Sequence, residues 1–111
     1  MALQRPATLT DSFLSGLVAR VPGSDGATWK LTEVYTGELL VELPQSTPAD
    51  IEQAFATARE AQAAWAARPL KERLAVFKRA HALFLDNAHL TTDLIQAESG
   101  KNRRMAIEET C

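Results

Sequence analysis

Two long amphipathic helical patterns, separated by Pro69, constrain the fold of this chain more than any other feature of its sequence. In each pattern apolar residues recur at steps of three and four, while charged residues occupy the other side. Such a stripe needs another element to cover it, so we predict that each helix buries one face and that the two pack as a hairpin. The stripes comprise Ile51, Phe55, Ala58, Ala61 and Trp65 before Pro69, and Leu70, Leu74, Phe77, Ala80, Phe84 and Leu85 after it.

The ends of the later helices carry clear local signals. Thr47 can cap the first long helix, Pro48 suits its first position, and Asp50 completes a capping-box variant. Asn87 is predicted to cap a third helix, which Gly100 ends because glycine readily adopts the left-handed conformation of helix C-termini. A fourth helical pattern of this part begins after Gly100 and is still running where the sequence stops. We therefore expect the chain to be the front of a larger protein.

A short helix is predicted near the N-terminus, from Leu9 to Val21. Its apolar residues fall on one helical face, and Thr10 or Asp11 can serve as the N-cap. Residues 22–26 then concentrate turn formers, which must end the helix.

The following segment changes to β-branched and aromatic residues. Residues 28–35 and 39–43 predict two antiparallel strands, joined by a tight turn at 36–38. The predicted fold class is thus a mostly helical α+β fragment, with an N-terminal helix, a β-hairpin and then helices. At 111 residues the chain is long enough for at most one core.

Composition limits the partners and the compartment. The net charge is only −2, with acidic and basic residues interleaved, so we predict no nucleic-acid binding. No segment has the apolar length of a secretion signal or a membrane span, so we predict no membrane association. A single cysteine cannot form an internal disulfide, and we predict a cytoplasmic protein.

Residues capable of chemistry are few and scattered. His81 and His89 are eight positions apart with no second ligand one helical turn away, so we predict no metal site. His81 is expected to line a helix interface and His89 to lie near a helix start. Cys111 has Glu108 and Glu109 beside it instead of the cation that activates a thiol, so we predict that it packs or has no role.

Lys101, Arg103 and Arg104 form a small cationic group that could contact an anionic substrate. The interpretation we favour is a solvated helix start, partly neutralised by Glu108 and Glu109.

No glycine is placed to hold a cofactor phosphate. Such a site needs glycines immediately before a helix, so that the backbone can approach the phosphates. Gly23 and Gly26 precede a predicted strand, so we interpret them as turn residues and predict no cofactor-binding residues.

Three segments, taken together, resemble the N-terminal region of the aldehyde dehydrogenase superfamily. They are Tyr35–Leu40, Ala64-Trp65 followed by Glu72-Arg73, and Glu98–Lys101. The resemblance covers residues 28–111 and is closest to the succinate-semialdehyde dehydrogenase branch, through Ala66–Pro69 and Asp93–Glu98. Residues 1–27 are predicted to be an N-terminal extension with a short helix.

The resemblance implies that residues 28–111 contribute a strand pair and helices to an α/β cofactor-binding domain. The full enzyme would oxidise an aldehyde to an acid with NAD or NADP, using a cysteine nucleophile and a glutamate that activates water. Both residues belong to later segments, so Glu98 is interpreted as part of a helix end. We predict no catalytic residue in this chain and no activity of the chain alone.

Two other interpretations remain open, a non-catalytic helical interaction module and a gene remnant. The predicted partners are the remainder of a dehydrogenase or a second copy of the chain, bound through exposed apolar helix faces. Trp29, Trp65 and Phe77 are the candidates for that exposed surface.

Overall fold

Five helices and a two-stranded hairpin make up residues 4–110, the part of the chain that the computed structural model describes. This is the mostly helical α+β fragment expected from the sequence. In chain order the elements are α1 (Asp11–Val18), β1 (Thr28–Thr32), β2 (Leu39–Pro44), α2 (Pro48–Ala67), α3 (Leu70–Asp86), α4 (Ala88–Ser99) and α5 (Arg103–Thr110).

Helix α1 is shorter than predicted at both ends. Its N-cap is Thr10, whose Oγ1 accepts a hydrogen bond from the Phe13 N–H at 3.2 Å. The first of the two proposed caps is therefore confirmed. After Val18 the chain continues in turns until the segment of Pro and Gly residues begins.

The hairpin is antiparallel, with Thr28 opposite Pro44 and Leu31 opposite Val41. Strand β1 ends at Thr32 instead of Tyr35, because the turn begins at Glu33. The Glu33 N–H donates to the Glu38 carbonyl at 2.8 Å, and the Glu33 side chain accepts from the Thr36 N–H at 2.7 Å. Glu33 is only 2% exposed, so its carboxylate is held inside the turn it closes.

The start of α2 confirms the predicted capping box. Thr47 Oγ1 accepts from the Asp50 N–H at 3.1 Å, and Asp50 Oδ2 accepts from the Thr47 N–H at 2.9 Å. Asp50 also accepts from the Ser24 N–H and hydroxyl. Hydrogen bonds from the Thr47 backbone and side chain, then from Ser24, lower the pKa of Asp50. The base of α2 is thereby attached to the loop that precedes β1.

The core lies between α1, the hairpin and α4. It consists of Leu9, Leu14, Leu40 and Ala97, with Phe13, Leu31, Val41 and Leu94 packed around them. Helix α5 packs on α4, and α4 touches the end of α3. This small core is closed without any residue of α2.

The predicted helical hairpin of α2 and α3 is wrong, because the two helices do not pack along their lengths. Neither helix contains a buried residue, so the predicted buried faces are also wrong. Pro69 holds the two-residue connection extended, and no layer of the described chain covers the stripes. The radius of gyration is accordingly 17.3 Å, against about 13 Å for a compact domain of this length.

The junction of α3 and α4 differs from the prediction in one detail. Asn87 makes no side-chain cap for α4; its Nδ2 donates to the Leu83 carbonyl at 2.8 Å and so satisfies the end of α3. The Leu83 carbonyl also accepts from the Asn87 N–H at 3.1 Å, so both the backbone and the side chain of Asn87 close the end of α3. Gly100 ends α4 with φ of +70°, as predicted.

Candidate functional site

The turn between α4 and α5 is held against the hairpin turn. The Tyr35 hydroxyl lies 2.9 Å from the carbonyl oxygens of both Gly100 and Lys101. The Val34 N–H donates to the Ala97 carbonyl at 2.9 Å. A Cβ on Gly100 would lie 2.8 Å from Val34 Cγ1, so a side chain at this position would force Val34 to move. Two of the three segments that carry the resemblance therefore meet at one contact.

The cationic group after Gly100 is paired with carboxylates. Lys101 forms an ion pair with Glu109, and Arg104 Nε lies 3.4 Å from Glu108 Oε1. Neutralisation by these two glutamates is the interpretation favoured from the sequence. The third cation, Arg103, instead lies 2.7 Å from the Asp93 carboxylate. Each of the three cations thus has a carboxylate partner, which leaves little charge to attract an anionic substrate.

Asp93 on α4 connects the N-terminal segment to α5, and no sequence pattern predicts this role. It accepts from the Thr8 hydroxyl at 2.6 Å and from Arg103 Nη1 at 2.7 Å. Burial acts to raise the pKa of Asp93, but these hydrogen bonds and the charges of Arg103 and His89 outweigh it and lower the pKa. Its side chain is 13% exposed. No local pattern marks a contact between residues 85 positions apart, so the sequence offered no signal for it.

Glu98 lies one residue before the end of α4, as predicted. It borders a pocket of about 80 Å³ whose other lining residues are apolar side chains of α1, of the segment that follows α1, of β2 and of α4. Partial burial there raises the pKa of the Glu98 carboxyl. The pocket contains no nucleophile for a base to activate.

The other candidate residues are not brought together. His81 is exposed on α3, so its predicted place in a helix interface is wrong, because the expected interface does not form. His89 is the second residue of α4, near a helix start as predicted. Within residues 4–110 no three His, Cys, Asp or Glu side chains are grouped to hold a metal ion. Cys111 lies outside the described residues.

Among the glycines of residues 4–110, Gly23 and Gly26 are not placed to hold the phosphates of a nicotinamide cofactor. Gly26 has φ of +77° in a turn that leads into β1, and a Cβ on Gly23 would lie 2.7 Å from Pro44 Cβ. These two glycines therefore permit a turn and a close contact with β2, and neither precedes a helix N-terminus. The loop before α5 is occupied by Val34 against Gly100 and by Asn102, which caps the Met105 N–H at 3.1 Å.

The most conspicuous surface consists of the apolar stripes of α2 and α3, which we call the open helix faces. Phe55 on α2 is 62% exposed and Phe77 on α3 is 65% exposed. On α2, Phe55 and Trp65 border a shallow groove of about 700 Å³ with Ala58 and Ala61. The predicted exposure of Trp29 and Phe77 is confirmed, whereas Trp65 is half-buried. Contiguous apolar surface of this kind usually marks a contact with another chain or segment.

Among the helices of residues 4–110, none combines the length and apolarity needed to cross a membrane.

Comparison with known proteins identifies the family. The model of the aldehyde dehydrogenase family matches residues 21–110. Over 79 residues, 71% of this chain, 49% are identical to a protein of Mycobacterium ulcerans (strain Agy99) and to one of Mycobacterium tuberculosis (strain H37Rv), both assigned as a succinate-semialdehyde dehydrogenase of the NADP(+) type. An N-succinylglutamate 5-semialdehyde dehydrogenase of Caulobacter vibrioides is 37% identical over 76 residues, which are 68% of this chain and 16% of that protein.

The mycobacterial relatives are much longer than this chain, and the matched region is 15% of their length. No solved structure matches the chain significantly. The family match nevertheless covers most of the sequence, from the loop before the hairpin to the end of α5. The chain belongs to the aldehyde dehydrogenase family.

Proposed function

We propose that this chain is the N-terminal part of an NAD(P)-dependent aldehyde dehydrogenase that oxidises succinate semialdehyde to the acid. The observation that carries the proposal is the 49% identity, over 79 residues, to proteins assigned to that activity with NADP(+). The relative from Caulobacter vibrioides is named for a different substrate, N-succinylglutamate 5-semialdehyde, which is also a semialdehyde. A semialdehyde is therefore the substrate class that both sets of names support.

In this proposal the chain contributes structure and no catalytic group. Residues 4–110 offer no grouping of nucleophile, base and cofactor donors, and the three cations after Gly100 are paired with carboxylates. The chain supplies the hairpin, the small core and the open helix faces, and the remainder of the enzyme supplies the chemistry. The chain alone is thus expected to be inactive. The cytoplasm is the compartment we propose, since the single cysteine cannot form an internal disulfide.

The test is complementation of activity. The purified chain is mixed with a separately produced polypeptide containing the rest of a related dehydrogenase, and NADPH formation is followed with succinate semialdehyde. We expect activity in the mixture and none from the chain alone. A straight-chain aldehyde without the carboxylate is the substrate control, and NAD replaces NADP in a parallel reaction. Activity of the chain alone would refute the proposal.

A second candidate is a non-catalytic helical interaction module. The observation that favours it is the small core around Leu14 and Leu40, which closes without α2 and leaves that helix free for another partner. Stable folding of the chain together with failure of every complementation mixture would favour this candidate. A gene remnant would instead show no cooperative unfolding transition.

A further inference from the structure

The N-terminal segment that carries α1 crosses the core with few attachments, and we call residues 5–21 the strap. Only Leu9 and Leu14 of the strap are buried. Within the described chain one hydrogen bond joins the strap to the remaining residues, from the Thr8 hydroxyl to Asp93 Oδ2 at 2.6 Å. The other hydrogen bonds of the strap, and its ion pair, are internal to it. Two leucines and one hydroxyl therefore fasten this segment.

The strap is also loosely packed on the hairpin. An open groove of about 390 Å³ lies between α1 and β2, bordered by Ser15 and Val18 on one side and by Val41 and Glu42 on the other. The pocket of about 80 Å³ beside Glu98 lies on the inner side of α1. Protein interiors rarely leave such gaps, because side chains that line a gap lose dispersion contacts. The contact that holds the strap is thus weaker than a continuous core of the same area.

The hairpin and α4 are joined to each other without the strap. The Val34 N–H donates to the Ala97 carbonyl at 2.9 Å, and the Tyr35 hydroxyl lies 2.9 Å from the Gly100 carbonyl oxygen. Helix α5 packs on α4, where Ala106 is fully buried. No strap residue takes part in these hydrogen bonds, so they can persist when the strap leaves.

The C-terminal end of the strap meets a loop that is held in place. The Ser46 hydroxyl donates to the Pro22 carbonyl at 2.6 Å. Asp50 accepts from the Ser24 N–H at 3.1 Å and from the Ser24 hydroxyl at 3.0 Å. This loop is therefore attached to the start of α2 and to the residues that follow β2. It gives the strap a fixed end at Pro22, whereas the other end is held at Asp93.

We propose that the strap opens as a unit about Pro22 while the hairpin, α4 and α5 stay assembled, and that Asp93 fastens its free end. Opening uncovers an apolar site on β2 and α4 that includes Leu40 and Leu94. Such partial openings occur at a lower free energy than global unfolding when few contacts hold the segment. Asp93 holds Arg103 through its other oxygen, Oδ1, so release of the strap leaves α5 fastened. This device does not depend on the proposed activity.

The experiment is native-state hydrogen exchange of the purified chain, followed by mass spectrometry. When reclosing is fast, the exchange rate of an amide follows the population of its open form. Amides of α1 should therefore exchange faster than those of β1, β2 and α4. Thr8→Val removes the hydroxyl that reaches Asp93 and should speed exchange in α1 by about fivefold, with β1, β2 and α4 unchanged.

The matched control is Thr91→Val, the same substitution on α4. The Thr91 hydroxyl lies 3.4 Å from the Asn87 carbonyl oxygen, at the start of the same helix, and does not bond to the strap. Exchange in α1 should keep the parent rate in this variant. Equal acceleration of α1 by Thr91→Val and Thr8→Val would overturn the proposal.

Two further variants separate opening of the strap from fraying of a short helix. Arg103→Met should speed exchange in α5 alone, whereas Asp93→Ala should speed it in both α1 and α5. Fraying of α1 depends on residues next to it in sequence, and Asp93 lies far from it along the chain. A response of α1 to Asp93→Ala therefore reports the attachment of the strap.

Three results would overturn the proposal. In the first, α1 exchanges at the rate of β1 and β2 in every variant, so the strap is an inseparable part of the core. In the second, α1 responds to neither Thr8→Val nor Asp93→Ala, so Asp93 is not a fastening. In the third, no segment of the parent chain is protected, so there is no assembled core for the strap to leave.

Discussion

Replacement of glycine by alanine meets different surroundings at positions 16, 23, 37 and 100. At Gly16, inside α1, the added Cβ has open space and no positive φ. At Gly37 φ is +74° with open space. At Gly100 φ is +70° and the Cβ would lie 2.8 Å from Val34 Cγ1. At Gly23 φ is not in the left-handed region, but Pro44 is 2.7 Å away.

These surroundings give the expected magnitudes. Gly16→Ala should stabilise the fold by about 0.5 to 1 kcal/mol, because glycine inside a helix carries an entropic cost. Gly37→Ala should destabilise it by about 1 kcal/mol, the cost of a left-handed conformation with a side chain. Gly100→Ala should cost about 2 kcal/mol, since the contact with Val34 adds about 1 kcal/mol of overpacking. That addition is modest because Val34 is 53% exposed and its side chain can move.

The assay is urea unfolding followed by circular dichroism, at one protein concentration because association would shift the midpoint. A double variant, Gly100→Ala with Val34→Ala, separates the two contributions. The free energy of unfolding of this double variant should be about 1 kcal/mol higher than the sum of the two single losses would give. A cost of Gly100→Ala no larger than that of Gly37→Ala would rule out a contribution from the Val34 contact. So would a double variant whose loss of stability equals the sum of the two single losses.

Three further predictions concern the core and the titrating carboxylates. Leu40→Ala should destabilise the chain by about 2 to 4 kcal/mol in the same unfolding assay, because Leu40 is a buried member of the only core cluster found within residues 4–110. Asp93 has a lowered pKa in the folded chain. Its ionised form therefore stabilises the fold above the unfolded pKa, and this stabilisation is lost as pH falls through the folded pKa. Asp93→Asn should lower the free energy of unfolding by about 1 kcal/mol at neutral pH and by progressively less in acid. Glu98 has a raised pKa in the folded chain, so its charged form disfavours folding. Glu98→Gln should stabilise the chain at neutral pH by about a few tenths of a kcal/mol, a small value because solvent screens this carboxylate. The gain should vanish as pH falls below the unfolded pKa. A stability difference for either variant that does not change with pH would contradict the assignment of that carboxylate.

The features that the sequence predicts well are those determined by residues a few positions apart. The capping box joins Thr47 and Asp50, which are three positions apart, and both hydrogen bonds form as expected. The left-handed end of α4 at Gly100 is likewise predicted by one residue, because glycine adopts this conformation readily. The paired strands follow from alternation and a turn, although the buried Glu33 carboxylate moved the start of that turn.

The features that the sequence could not predict depend on contacts between distant segments. Periodicity in α2 and α3 identifies an apolar stripe on each helix, but it does not say whether a neighbouring element covers that stripe. Within residues 4–110 neither helix has a buried residue. The contact of Thr8 and Arg103 with Asp93 has no local pattern at all. Asn87 lies between two helices and could serve either, and its side chain satisfies the earlier one.

The most direct test of the central claim, that this chain supplies structure to an aldehyde dehydrogenase but no catalytic group, is NADPH formation from succinate semialdehyde by the chain alone and by its mixture with the remainder of a related dehydrogenase. We expect no turnover by the chain and turnover by the mixture that depends on both components. Turnover by the chain alone, or by the remainder at the same rate without it, would show that the chain does not have the structural role proposed for it.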